Sequence, residues 1–398
     1  MLRNLIRKEW LILIILFMGI SGLLGSRWSL YILISLYPIL FNKSQFKKYC
    51  DSTFFLFLLF SISYAIIFYI NSNSVDVGIG KLFYYSLYPP VFYLVGAYFV
   101  EKWHSEKYLS MILLIVIIGY SFLYLNNALQ DAFKYELVNY SRTFRANTND
   151  TVLGYSFQGI RASLSIAGIG LLFVPTIDSI EKRFKFVYVI LGCIGIFVVA
   201  HYINRTGLVI ACCCIFFVIC KLIKKKSTLL IFFITSILVV LLINYLSQLF
   251  NLHQFVDAYQ SRENNSDYNF ASFGGRNVRW FWVIENIFSH PFGGIVNYRY
   301  GYAHNLWLDS ARIAGIIPFS FLCIASIISL IKAIKVIFNK KTPLFFSCLL
   351  VALNTAFFLQ CFVEPIIEAD FMFFCLYVMF FGMQNHLSIN LENKKFLS

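Results

Sequence analysis

The chain has 398 residues, of which 59% are hydrophobic and only 13% charged, and its mean hydropathy is +0.73. Soluble domains carry about 25% charged residues, so a string of soluble domains is excluded and residues 1–398 read as one transmembrane domain, an all-α polytopic membrane protein. The net charge of +14 would suit nucleic acid, but most lysines fall in short segments between apolar runs, which excludes that partner.

A membrane-spanning helix needs about 20 mostly apolar residues. Twelve runs qualify: 9–25, 27–41, 53–71, 82–100, 108–125, 159–177, 185–201, 205–221, 227–247, 305–331, 344–363 and 366–385. The first two are short and share a turn near Gly25, so ten to twelve spans are expected. The basic start and first apolar run have the outline of a signal peptide. No small-x-small cleavage site is clear, so the run reads as an uncleaved first span.

Cytoplasmic loops collect Lys and Arg. With twelve spans and both termini cytoplasmic, the cytoplasmic set holds 21 of the 33 basic residues, 18 of them Lys. The other twelve basic residues face outward or sit in the outer half of a span, and ten are Arg. Lysine serves as a solvated anchor, whereas arginine offers a fork matched to phosphate or carboxylate. An outward face rich in Arg suits an anionic ligand near the outer leaflet, though Arg also snorkels to headgroups. Both long loops, 126–158 and 248–304, are outward. The second lies between spans 9 and 10.

Residues 274–315 of that second loop and the next span carry most of the candidate chemistry. As a helix, 276–290 places Arg276, Arg279, Asn286 and His290 within about 80° of one another, between apolar flanks that suit a helix at the membrane surface. Gly274 and Gly275 precede it, and Pro291, Gly293 and Gly294 stop it. Arg276 and Arg279 could grip a pyrophosphate or bind headgroups. His304 opens span 10. An imidazole can take a proton from a hydroxyl, and a lone His can equally be a capping residue. Asn305, Asp309 and Arg312 follow on one face, either as part of a site or as an internal Asp309–Arg312 pair. Arg205 opens span 8 and Arg161 sits near the start of span 6. Charges at that depth need anionic partners, and Glu364, Glu368 and Asp370 in the turn between spans 11 and 12 could supply them. No metal-ligand spacing, phosphate loop or other cofactor motif is present, and the ten cysteines lie outside the long loops.

Arg205-Thr206-Gly207, Gly275-Arg276 with Trp282, His290-Pro291-x-Gly293, and Ala303-His304-Asn305 with Leu308, Asp309 and Gly315 together resemble the O-antigen polymerase/O-antigen ligase superfamily. The resemblance covers the topology, with its motifs concentrated in 200–320. It implies a GT-C-like fold with a large periplasmic loop between helices 9 and 10, in the bacterial inner membrane. It also implies an inverting, metal-independent glycosyltransferase using an undecaprenyl-pyrophosphate-linked glycan. On that likeness Arg205 and Arg276 become pyrophosphate ligands and His304 the base, with Arg279 joined to them by helix position. Arg161, His290, Asn305, Asp309, Arg312 and Glu364 are the supporting residues. The run Leu306–Asp309 and Gly315–Pro318 looks more like the polymerases, which join lipid-linked repeat units and can pair with a chain-length regulator. A ligase moving the glycan to lipid A–core is the alternative within the family, and a lipid-linked oligosaccharide flippase the alternative outside it.

Overall fold

The computed structural model describes residues 2–21, 49–72, 79–103, 105–134, 155–202, 204–223, 275–295 and 301–392. The expected spans at 27–41 and 227–247, and the first part of the loop at 248–304, lie outside these residues. The described residues form α-helices and one 3-10 helix, with no strand among them. In chain order these are α1 (Leu2–Ser21), α2 (Ser52–Asn71), α3 (Ile79–Lys102), α4 (Glu106–Lys134), α5 (Tyr155–Ile166), the 3-10 helix (Ala167–Leu171), α6 (Ser179–His201), α7 (Arg205–Leu222), α8 (Arg276–Asn286), α9 (Leu306–Ala314), α10 (Ile316–Phe338), α11 (Leu344–Val363), α12 (Ile366–Ala369) and α13 (Phe371–Glu392).

Six of these, α2, α6, α7, α10, α11 and α13, are long and apolar enough to cross a membrane, and the protein is a polytopic helical membrane protein. α3 and α4 have the length, at 24 and 29 residues; five tyrosines and two prolines dilute α3.

α13 is the centre of the bundle. It is buried along most of its length, apolar from Phe371 to Met383 and then polar through Gln384, Asn385, His386, Ser388 and Asn390, which are buried too; a helix with no single polar face is buried all round. α3 runs beside it in the same direction. A Cβ on Gly96 would lie 2.0 Å from the Met379 carbonyl oxygen, and one on Gly382 would lie 2.2 Å from that of Tyr93. Without a hydrophobic force between helices in lipid, such close backbone approach is how helices gain contact. α2 crosses α3 in the opposite sense: Tyr64 packs on Tyr85 and Phe57 on Tyr93.

The ion pairs sort into two ends. At one, Lys107 meets Asp178, Lys332 meets Asp51 at 2.9 Å and Lys335 meets Glu392 at 3.8 Å. At the other, Arg161 meets Asp370 at 2.6 Å, Arg276 meets Glu364 at 3.1 Å, and Arg312 meets both Asp309, at 3.3 Å, and Glu368. Among the described residues, then, the Lys and Arg ion pairs lie at opposite ends of the bundle.

Several expected boundaries shift. The run at 159–177 is not one continuous α-helix: α5 stops at Ile166, and a 3-10 helix follows, wedged against α6, α7 and α11. The run at 305–331 breaks at Gly315 into α9 and α10. The run at 366–385 opens with the single turn α12 before α13, which continues to Glu392. α4 extends to Lys134, well into the expected loop at 126–158. Hydropathy windows average over such breaks, because the long apolar helix that follows outweighs the few polar residues before it.

Candidate functional site

The turn joining α11 to α13, residues 364–370, organises the arginine end. It carries Glu364, Glu368 and Asp370, and each meets an arginine from a different helix. Partnering of this kind is the condition for holding charge in a low-dielectric setting.

Glu364 is the meeting point. Its side chain is only 7% exposed. One oxygen accepts from Arg276 Nη2 at 3.1 Å and lies 3.5 Å from Thr206 Oγ1. The other lies 3.5 Å from His304 Nδ1. That nitrogen is buried and makes no hydrogen bond, so the contact is an ion-pair approach rather than a bond. Three chain segments far apart in sequence, α7, α8 and residue 304, therefore converge on one carboxylate. Arg205 opens α7 beside Thr206, with Asn204 capping the helix by accepting from the Gly207 N–H at 2.9 Å.

His304 stands in a turn of its own. It is the one non-glycine residue with positive φ among the described residues, at 56°. Asn305 follows as the N-cap of α9, accepting from the Trp307 and Leu308 N–H groups, the usual satisfaction of orphan donors at a helix start. Its amide also donates to the Phe362 carbonyl at 3.1 Å, fixing α9 to the end of α11.

α8 covers the turn. Its inner side packs Val283 and Ile287 on Ala303 and Ala311. Trp280 Nε1 donates to the Ala303 carbonyl at 2.9 Å and Arg279 Nη1 to the Tyr302 carbonyl at 3.2 Å. Its outer side, with Phe288 beyond, is apolar: Val278, Phe281, Ile284 and Phe288 are all exposed. An arginine side facing protein and an apolar side facing outward fit a helix at a bilayer surface.

The segment Pro291–Ile295 then latches this cover onto the break between α9 and α10. The Gly294 and Ile295 N–H groups donate to the Ile313 and Arg312 carbonyls, and the Ile316 N–H donates back to Pro291. Gly315, at φ +82°, has its Cβ position 2.0 Å from the Pro291 carbonyl oxygen; Gly293, at φ +74°, has its own 2.3 Å from that of Ile313. Only glycine meets both demands. Asn71, at the end of α2, ties the latch from the other side by donating to the Phe292 and Ile313 carbonyls.

Charge at this end is not evenly matched. Arg312 faces both Asp309 and Glu368. Burial raises Glu368 to about 7, more than the Arg312 charge lowers it. Burial likewise pulls Asp309 above the usual carboxylate range against Arg312 and two backbone N–H groups. One guanidinium cannot offset two desolvated carboxylates.

Of the residues singled out in the sequence, Arg276, His304 and Glu364 come together directly, and Asn305, Asp309 and Arg312 build their support. Arg161 is held apart, pairing with Asp370 under the Tyr120 ring. Arg279 points to a backbone carbonyl of the His304 turn. His290 leaves the expected stripe: the helix ends at Asn286, and the imidazole is exposed, with Nδ1 3.3 Å from the Asn286 carbonyl oxygen. Thr206, noted only as part of the Arg205-Thr206-Gly207 motif, lies 3.5 Å from Glu364, and Tyr302, Tyr120 and Asn71 contribute without having been singled out. Asn71, a polar residue closing an apolar run, was the one with a visible signal. Among the described residues no three His, Cys, Asp or Glu gather to hold a metal, and all ten cysteines are free. No protein-family model and no curated protein matches this chain.

Proposed function

We propose that the protein is a membrane glycosyltransferase of the O-antigen polymerase type, joining undecaprenyl-pyrophosphate-linked repeat units at the outer face of the bacterial inner membrane. The observation that supports this reading best is the convergence of Arg276 and His304 on Glu364, under an amphipathic cover and at the end that also holds the Arg161 and Arg312 ion pairs. In the reaction, a sugar hydroxyl of the acceptor attacks the anomeric carbon of the donor. The hydroxyl proton passes to the His304 imidazole as the new glycosidic bond forms. The bond to the lipid diphosphate breaks, and its oxygen takes the electron pair. Arg276 and Arg205 meet that growing negative charge without a metal. Glu364 faces the imidazolium left behind.

The distribution of charge weighs against a flippase, whose charges would line a path through the bilayer midplane. In the described apolar spans α2, α6, α7, α10, α11 and α13 the charged residues sit toward helix ends, at Glu181, Lys182, Arg183, Lys185, Arg205, Lys221, Lys332, Lys335 and Glu392. The test is complementation of a polymerase-null strain. Wild-type protein restores a ladder of long chains, while His304→Ala and Arg276→Ala give none at normal protein level. Ladders from either variant would refute the roles. Lipid-linked polymer that persists while only its transfer to lipid A–core is lost would mean a ligase.

A further inference from the structure

The strain at His304 has a visible cause. Asp309, one turn into α9, has no exposed surface. Its Oδ1 accepts from the Ala303 N–H at 2.7 Å and its Oδ2 from the Asn305 N–H at 3.1 Å. The N–H groups of the residues before and after His304 are thus drawn to one carboxylate, and the backbone between them turns through φ +56° at residue 304. Left-handed φ is unfavourable for a residue with a Cβ and persists only when its surroundings impose it. Arg312 Nε, at 3.3 Å from Oδ1, anchors the carboxylate from within its own helix. The Asn305 side chain is already committed to capping α9, and the Tyr302 and Ala303 carbonyls accept from Arg279 and Trp280.

We infer that Asp309 is a positioning residue: its carboxylate clamps the N–H groups flanking His304 and so aims the imidazole at Glu364 and the reacting hydroxyl. This rests on the proposed role of His304, but the clamp itself can be read without any reaction. A double-mutant cycle on the full chain in detergent, followed by tryptophan fluorescence on heating, is the direct test. His304→Gly relieves the strained φ and raises the thermal midpoint by on the order of 1–2 °C. In an Asp309→Asn background, where the amide cannot accept both N–H groups as acceptor oxygens do, that gain disappears. An equal gain in both backgrounds overturns the clamp. Should Asp309→Asn fail to accumulate, Asp309→Glu moves both oxygens while keeping the charge, and the same cycle applies.

The second arm uses membranes supplied with lipid-diphosphate-linked repeat units from polymerase-null cells. Asp309→Asn lowers kcat by roughly tenfold while KM for the donor stays within about twofold, because the diphosphate ligands are untouched. Loss expressed only in KM, or no loss, overturns the positioning role. If His304→Ala polymerises normally, the base assignment falls, and the thermal cycle still decides whether Asp309 holds the turn.

Discussion

His304 Nδ1 faces Glu364 Oε2 at 3.5 Å across a buried contact that is not yet a hydrogen bond. The other oxygen of the same carboxylate is already bonded to Arg276. A carboxylate placed so can keep two cationic groups apart from solvent and accept the imidazolium once it forms. Glu364→Gln keeps the shape and removes the charge. It is expected to remove the charge-assisted part of the Arg276 contact, at a cost of about 3 kcal/mol or less given the partial exposure of the guanidinium, and to reduce polymer formation by at least roughly tenfold. The readouts are the thermal midpoint in detergent and the polysaccharide ladder. A variant with wild-type ladders would remove Glu364 from the mechanism.

Arg161 and Asp370 form a separate pair, closed by Tyr120, which donates to the same Asp370 oxygen at 2.9 Å. Its expected signature is structural. Arg161→Ala strands a buried carboxylate and should destabilise by about 3 kcal/mol. Arg161→Lys should recover only part of this, since it loses the Nε donor and the guanidinium stacking on the ring. Membrane-inserted protein level and thermal midpoint follow both variants. An Arg161→Ala protein with normal stability but no polymer would instead place Arg161 among the substrate ligands.

The apolar runs were legible because a span must be apolar along its length, and the need of buried arginines for anionic partners led directly to the acids at 364–370. Which arginine meets which acid was not legible, since α5, α8 and α9 are brought together only by packing. The turn at His304 was hidden for a different reason. Nothing in Ala303-His304-Asn305 announces a positive φ, because the force that imposes it comes from Asp309, which a helical reading of 305–331 placed within the same uninterrupted span. The break at Gly315 was obscured by apolar residues on both sides. Arg279 and His290 lay on a plausible common stripe, but the helix stops at Asn286 and the stripe stops with it.

Glu368 gives the protein a pH dependence whose direction is fixed by its environment. Burial raises its carboxyl from 4.5 to about 7 despite Arg312. Between those values the folded state holds a proton that the unfolded chain releases, so stability falls as pH rises from about 4.5 through about 7. The change should be on the order of 1–2 kcal/mol after screening at a partly exposed site. Thermal midpoints between pH 5 and 8 measure it. Glu368→Gln should flatten that slope. An unchanged slope would assign the dependence to another group.

The latch between Pro291–Ile295 and the α9–α10 break predicts a contrast among neighbouring residues of one motif. Gly315→Ala meets a carbonyl oxygen 2.0 Å from its new Cβ, and Gly293→Ala meets one at 2.3 Å, both at positive φ. Neither obstacle is a side chain that can swing away, so α8 must lift from α9 or the chain must unfold. Each variant should lose at least about 2 kcal/mol and lose polymer with it. His290→Ala removes an exposed imidazole whose near neighbours are Ser289 and the Asn286 carbonyl, and should change stability by less than about 0.5 kcal/mol and leave the ladder intact. Asn71→Ala tests the same joint from α2 without backbone strain: it removes donors to the Phe292 and Ile313 carbonyls at 2.9 and 3.0 Å, and should cost about 1 kcal/mol. If the glycine variants fold and polymerise normally, the cover over His304 is not held by this joint. If His290→Ala alone abolishes polymer, the imidazole reaches the substrate from a position the turn at 287–290 does not give it.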